Sequence, residues 1–475
     1  MTFKEKYIGD RAFYKKLILL AVPLVIQQGI TNFVSLLDNV MVGGLGTCSM
    51  SAVSIVNQLI FIFNLAIFGG ISGASIFGTQ FFGVRDWKGM RDTFRFKMIF
   101  GIVTSALAIG TFIAFGDELV MLFLENENNS AEDIAFTISE AKRYFIPALV
   151  GLVPFAIVQV YAGTLRETGE TAIPMYAGVA AIFVNLVFNW LLIYGKLGFP
   201  ELGVAGAAIA TVLSRFVELT IVVIVTHRKH ERFRFIEGAY RSLHIPGALV
   251  KKIIITGTPL MLNEVFWSLG QTVINQSYST RGLTVIAASN ITTTAWNLFC
   301  VIMFAMGSVV AIMVGQRLGA GDREGAIDTD NKIIFVTLAS HIVIALLIIA
   351  ASPFIPLMYK VEPEVQHLAT RFLVIAGLSL PIHALIHVMY FTIRSGGRTG
   401  ITFLFDCVYT WVVPVVLSFV LCRLTALPIL TVYMIIQFSD IIKLCIGTPM
   451  VKSGFWANCV IADVSEASGV SSADD

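Results

Sequence analysis

The chain has 475 residues, 56% of them hydrophobic and 13% charged, where an average soluble domain carries about 25% charged residues. This balance excludes a water-soluble globular protein and puts most of the chain in a bilayer, where span length replaces core size as the first question. A net charge of +2 gives no reason to expect a nucleic-acid partner. The six cysteines (48, 300, 407, 422, 445 and 459) show no C-x-x-C spacing, so neither a disulfide framework nor a metal cluster is read from them, and no cofactor is expected.

Residues 1–16 are charged and run into a long apolar segment without a small-residue cleavage site, the pattern of an uncleaved first span. Apolar runs near the 20-residue bilayer length recur about twelve times: 17–41, 51–81, 98–116, 144–162, 172–194, 203–226, 253–277, 285–314, 333–352, 371–391, 401–421 and 428–449. With the N-terminus inside, cytoplasmic segments hold 25 Lys and Arg, outer loops hold 7, and Arg215 lies within a span. That bias is the one the positive-inside rule describes. The acidic loop 117–143 then falls outside. The expected organisation is an N-terminal lobe (1–226), a basic cytoplasmic linker (227–252) fit to lie on an anionic leaflet, a C-terminal lobe (253–456), and a small, polar tail (457–475) expected to be disordered. Both termini are expected in the cytoplasm, at a prokaryotic plasma membrane.

The chain repeats itself. At an offset of 236, Pro23 falls on Pro259, Asn39 on Asn275, Gly46 on Gly282, and Gln80, Gly83, Asp86 and Gly89 on Gln316, Gly319, Asp322 and Gly325. At an offset of 228, Arg143, Arg166, Gly169 and Thr171 meet Arg371, Arg394, Gly397 and Thr399. Six spans per half is an even number, so the halves enter the membrane with the same polarity. Related halves of this kind are typical of secondary transporters. The expected fold is therefore all-α and polytopic, about twelve helices in two parallel six-helix repeats.

Polar stripes cross these spans. Gln27, Thr31, Ser35 and Asp38 share one face of the first span, and Glu264, Ser268, Gln271 and Asn275 share one face of the seventh. A carboxylate at mid-bilayer costs roughly 3 kcal/mol on insertion scales, so Asp38 and Glu264 are candidate functional acids. Asp406 on the eleventh span has no partner in the local sequence. Arg215 with Glu218, and Asp440 with Lys443, are three apart and read as local pairs. His383 and His387 are four apart on the tenth span; a titrating site, a metal pair and two packed rings all remain open readings. Asn57 and Asn64, Asn185 and Asn189, and Asn290 and Asn297 serve either as interhelical glue or as the lining of a wet cavity. Pro23 and Pro259 kink equivalent helices.

The loop Gln80–Gly89, its copy Gln316–Gly325, the run LDNVMVGGLG (37–46), LRETGET (165–171), IRSGGRT (393–399) and the late Ser453-Gly454-Phe455-Trp456 together resemble the multidrug and toxic compound extrusion (MATE) family. The likeness runs from about residue 11 to 456, and the order of the motifs carries it. It implies two six-helix lobes around a cleft and an antiporter that takes in Na+ or H+ and expels small organic, often cationic, compounds, working as a monomer in the bilayer. Asp38 falls on the aspartate that family members use in cation coupling. Glu264 resembles the seventh-helix acid of sodium-coupled members, and His383 stands where those members carry a tenth-helix aspartate. The proton-coupled branch uses a fifth-helix acid, where this chain has Asn185 and Asn189, so the coupling ion stays open between Na+ and H+. The resemblance and the polar faces make Asp38, Glu264 and His383 the cation-coupling candidates. Gln27, Thr31, Ser35, Asn57, Asn64, Asn185, Asn189, Gln271, Asn275 and Asp406 are candidates to line a substrate cavity.

Other readings are weighed against this one. A lipid or polysaccharide-precursor flippase of the same superfamily has the same halves. A major facilitator has a D-x-x-G loop like Asp86–Gly89, but its other loop positions are not matched. Gly70-Ile71-Ser72-Gly73 mimics a serine-protease motif, yet small residues within a span are a packing feature, and an enzyme is not expected. No Walker motif occurs, so ATP is not the expected energy source.

Overall fold

The computed structural model describes residues 3–124 and 131–462. After one helical turn at Phe3–Tyr7 come α1 (Arg11–Gly43), α2 (Thr47–Gly83), α3 (Trp87–Leu124), α4 (Ala131–Val150), α5 (Leu152–Glu167), α6 (Ala172–Ile193) and α7 (Val204–Arg228). The second half follows with α8 (Gly247–Ser279), α9 (Leu283–Phe299), α10 (Val301–Gly319), α11 (Arg323–Ala351), α12 (Pro363–Ser395), α13 (Thr399–Arg423) and α14 (Ile429–Lys452). No strand occurs among the described residues. Among the described residues ten helices are long and apolar enough to cross a bilayer, and α4 with α5 makes an eleventh crossing if the bent pair is one span. At 33 residues and about 1.5 Å per residue, α8 is also long enough to cross, though Asn263, Glu264, Gln271, Asn275 and Gln276 make it less apolar.

Two of the expected straight spans are broken. The fourth bends by 44° at Gly151, between α4 and α5. The eighth is interrupted at Cys300, between α9 and α10. The first lies between Pro147 and Pro154, and Pro154 has no N–H for the Val150 carbonyl, so a bend there is readable from the sequence; the second has no proline near it. In α13 two turns, Leu404–Val408 and Trp411–Val415, are wound as π-bulges. The first holds Asp406 and the second Pro414, which cannot donate to the ladder.

By its internal contacts the chain divides into two compact units. One takes the chain up to Val25, Thr79–Asp86 and everything from Lys251 on; the other takes Ile26–Gly78 and Trp87–Val250. In the first unit Leu17, Leu20 and Leu24 of α1 pack in one core with Met306, Val309, Val310 and Met313 of α10 and Val388 of α12. The end of α2 crosses α10 there at backbone distance. A Cβ on Gly319 would lie 2.0 Å from the Gln80 carbonyl oxygen, and one on Gly83 would lie 2.1 Å from the Gln316 carbonyl oxygen. Small residues let membrane helices approach in this way. Gly319→Ala is therefore expected to cost about 1–3 kcal/mol through overpacking, read as a lower melting temperature of the detergent-purified protein. Gly110→Ala, where a Cβ meets nothing within 4 Å, should cost nothing. Equal melting of the two variants would refute the close crossing.

Gln80 also clasps the end of the chain. Its amide nitrogen donates to the carbonyls of Ser395 (3.1 Å) and Asn458 (3.2 Å), and its oxygen accepts from the Val460 N–H (2.8 Å). Trp456 and Ile461 are buried beside it. The tail expected to be disordered from 457 is thus ordered to 462, because its backbone finds partners; residues 463–475 lie outside the described residues.

In the second unit the linker folds back onto the helices. Phe233, Phe235, Ile236 and Ala239 are buried, with Phe94 of α3 against Phe235. Arg232 pairs with Glu170 at 2.7 Å. Arg95 of α3 donates to the carbonyls of Gly238 and Ala239 at 2.9 Å each and of His244 at 3.4 Å. Arg95→Ala removes all three bonds, so trypsin is expected to cut at Arg241 at least several-fold faster than in wild type. An unchanged cleavage rate would mean that Arg95 does not hold this segment.

Candidate functional site

The carboxylate of Asp38, near the C-terminal end of α1, is half-buried. Its Oδ1 accepts from Asn189 Nδ2 of α6 at 2.6 Å. The amide of Asn185, one turn earlier, satisfies its surroundings when its nitrogen faces the same carboxylate. It then donates to Oδ1 at 3.0 Å and Oδ2 at 3.3 Å while its oxygen accepts from Thr211 Oγ1 of α7 at 3.2 Å. Asn189 is 1% exposed, yet its Oδ1 accepts no hydrogen bond. A buried acceptor normally has a donor. Here the bare oxygen belongs to the amide whose nitrogen holds the Asp38 carboxylate.

The neighbours of this acid come from other helices. Tyr144 of α4 has Asp38 and Arg215 as charged neighbours, and its hydroxyl donates to Asn57 Oδ1 of α2 at 3.1 Å. Tyr194 donates to the Met41 carbonyl at 2.9 Å. Deeper along α1, Gln27 accepts from Arg166 Nη2 at 3.1 Å and packs against Gly178, near Glu218. Glu218 holds Arg215 at 3.0 Å, the local pair read from the sequence. Thr31 donates to the Gln27 carbonyl of its own helix and is exposed. The side chain of Ser35 lies outside the described residues. Asn64 is half-buried on α2. Ser72 donates to the Gly69 carbonyl of its own helix at 2.8 Å, and so serves the helix.

The other unit has a polar cluster of its own. Asp406, in the π-bulge of α13, accepts from Lys443 Nζ of α14 at 2.5 Å and from Asn263 Nδ2 of α8 at 2.9 Å. The expected pair of Asp440 with Lys443 is corrected by this. Lys443 lies between the Phe405 and Tyr409 rings, which draws it toward α13, while Asp440 Oδ2 takes His383 Nε2 at 3.3 Å. The other His383 nitrogen faces the Ser379 carbonyl at 2.9 Å. Both ring nitrogens thus face acceptors. Glu264 is half-buried, with Arg394 and Asp406 as its charged neighbours. His387 packs among Phe304 and Phe391 and does not join His383. Gln271 is half-buried and Asn275 exposed on α8. Among the described residues, no three His, Cys, Asp or Glu are grouped as a metal would need.

The structure therefore brings Asp38, Asn185 and Asn189 together in one unit, and sets Glu264 and Asp406 near each other in the other. His383 has Asp440 for a partner. Thr211, Tyr144, Lys443 and Arg394 complete these clusters. They were not singled out as site members, because a lone Thr or Tyr in a span carries no signal and Lys443 has a nearer acid in sequence.

A family model described as MatE matches residues 23–191 and 259–420. The "Probable multidrug resistance protein NorM" of Thermotoga maritima is 24% identical over 411 residues, 86% of either chain. The "Probable multidrug resistance protein YoeA" of Bacillus subtilis is 24% identical over 423 residues, 88% of this chain and 89% of that one. Among solved structures, the outward-facing conformation of a multidrug resistance MATE family transporter matches with a TM-score of 0.83 and 20% identity, covering 94% of this chain and 97% of that one. At that identity the likeness bears on the fold.

Proposed function

The chain belongs to the multidrug and toxic compound extrusion (MatE) family, and from that premise we propose that it is an antiporter that exports small organic, often cationic, compounds in exchange for Na+ or H+. The observation that carries the coupling half of this reading is the Asp38 cluster: a membrane-embedded carboxylate with two amide donors, of which Asn189 also carries a bare oxygen. Ionisable groups within spans mark ion pathways more often than packing. The major facilitator alternative falls with the family match.

In this reading, Asp38 takes a cation or proton while the site is open to the outside. Occupation lowers the affinity for cargo and cargo leaves. Reciprocity then requires that cargo binding weaken ion binding by the same factor. The access of the site alternates between the two sides. One charge moving inward through 100 mV supplies about 2.3 kcal/mol. That sustains roughly a forty-fold gradient of a neutral compound, since about 1.4 kcal/mol is tenfold. At Asp406 the fixed ammonium of Lys443 already stands on one oxygen. A free cation must displace it, so Asp38 is the better candidate for ion exchange, with Glu264 second. The charge bias supports a cytoplasmic side for both termini and the linker.

The test is ethidium efflux from proteoliposomes under an imposed Na+ gradient and, separately, an imposed pH gradient. Efflux driven by one gradient only identifies the ion. Efflux indifferent to both would remove the coupling assignment and turn the search to other cargo, lipid-linked precursors first.

A further inference from the structure

The unit built from Ile26–Gly78 and Trp87–Val250 holds a cavity of about 460 Å³ between α3, α5, α7 and the linker, within the size range of small-ligand sites. Met98, Ile157, Val223 and Ile224 wall it. Thr220 and Ile224 are exposed, so the cavity is a slot open along the side of α7. Apart from Thr220, whose hydroxyl bonds the Phe216 carbonyl of its own helix, its polar groups gather at one end. There the Tyr161 and Tyr240 hydroxyls bond each other, and the Tyr240 ring stacks on His227 with 12° between the planes. Arg228 and Lys229 follow His227 directly and are exposed, as are Arg234 and Arg241 on the linker. Arg232 pairs with Glu170 of the loop between α5 and α6, and His230 with Glu237 of the linker itself.

We propose that this slot binds one anionic phospholipid of the cytoplasmic leaflet, with an acyl chain along α7 and the phosphate against Arg228 and Lys229. The division of the site matches an amphiphile: an apolar trough at membrane depth, hydroxyls at its mouth, fixed positive charge beyond them. Basic residues beside a membrane are drawn to an anionic surface. A cationic compound of the kind proposed as cargo would meet like charge at this mouth, which argues against a cargo site. The placement on the cytoplasmic side rests on the orientation proposed above; the binding itself does not.

The test uses the delipidated full-length protein in detergent and native mass spectrometry, with dioleoylphosphatidylglycerol or dioleoylphosphatidylcholine added. One phosphatidylglycerol should be retained at least tenfold better than phosphatidylcholine. Thr220→Trp, which fills the slot, and the double variant Arg228→Gln with Lys229→Gln should each lower that retention at least fivefold at unchanged melting temperature. Equal retention of the two lipids would overturn the proposal, as would retention unaffected in the double variant. Displacement of the lipid by ethidium at one-to-one stoichiometry would reassign the slot to cargo. Inorganic phosphate matching the lipid as a stabiliser would show that the apolar trough takes no part, and would equally overturn it.

Discussion

Asp38→Asn is expected to abolish gradient-driven ethidium efflux, leaving the rate at that of protein-free liposomes, while ethidium binding stays within about threefold of wild type. The reasoning is one of charge at constant shape. An asparagine at 38 keeps an oxygen to accept from Asn189 Nδ2, now at 2.6 Å, so the packing of α1 on α6 survives. It loses the negative charge that a Na+ ion needs and the basic oxygen that a proton needs. If exchange runs through Asp38, cargo still binds, but nothing arrives to drive it off. Asn189→Ala should act in the same direction more weakly, because a hydrogen bond to a charged group contributes about 1.5–3 kcal/mol. Efflux at the wild-type rate in Asp38→Asn, under either gradient, would remove this residue from the mechanism.

The second large effect is on stability and lies away from the ion site. Lys97 is fully buried on α3, and its Nζ donates to Thr164 Oγ1 at 2.7 Å and to Glu167 at 2.7 and 2.9 Å. Gly78 leaves the room that Glu167 occupies, since a Cβ there would come within 2.1 Å of its carboxylate. Lys97→Met leaves a buried carboxylate uncompensated, and breaking such a pair from one side costs about 3–5 kcal/mol. The double variant Lys97→Met with Glu167→Leu should recover most of that loss, since a well-packed apolar pair replaces a buried ion pair at little cost. Thermal unfolding of the four proteins in detergent gives the cycle. Additive losses, with the double variant worse than either single one, would mean that the two charges do not stabilise each other.

Lys97 also marks where sequence reasoning stops. The positive-inside count took 82–97 as a cytoplasmic loop, whereas α3 begins at Trp87 and puts Lys97 about three turns into the helix. A count of charges by side does not distinguish a loop lysine from one tucked against a glutamate 70 residues on. The helices themselves were legible, because twenty apolar residues have few other uses, and the observed bounds extend most spans by a turn or two. The break at Gly151 has a signal in Pro147 and Pro154 on either side of it, whereas the one at Cys300 has none. Asp38, Asn185 and Asn189 were each picked out for being polar in a bilayer, but their meeting depends on a contact 151 residues apart in sequence. The repeat misleads in one respect. Thr164 and Thr392 are equivalent at the 228 offset, yet the first accepts from a lysine and the second donates to Asp330 at 2.5 Å. The copies share a hydroxyl position and reverse its partner's charge.

The crossing of α2 and α10 has the opposite character, for there the two copies meet. Gly83 faces the carbonyl of Gln316, and Gly319 faces that of Gln80, and each residue is the other copy's counterpart at the 236 offset. The contact is isologous, as at the interface of a two-fold dimer, but both faces belong to one chain. A surface of this kind is its own complement, so a tandem duplication of a gene encoding it supplies the partner in the same event. Once fused, the copies are free to drift everywhere except here, where a bulkier side chain in one motif collides with an unaltered backbone in the other. Comparison of the two halves within any one relative should therefore find their glycines changing together or not at all.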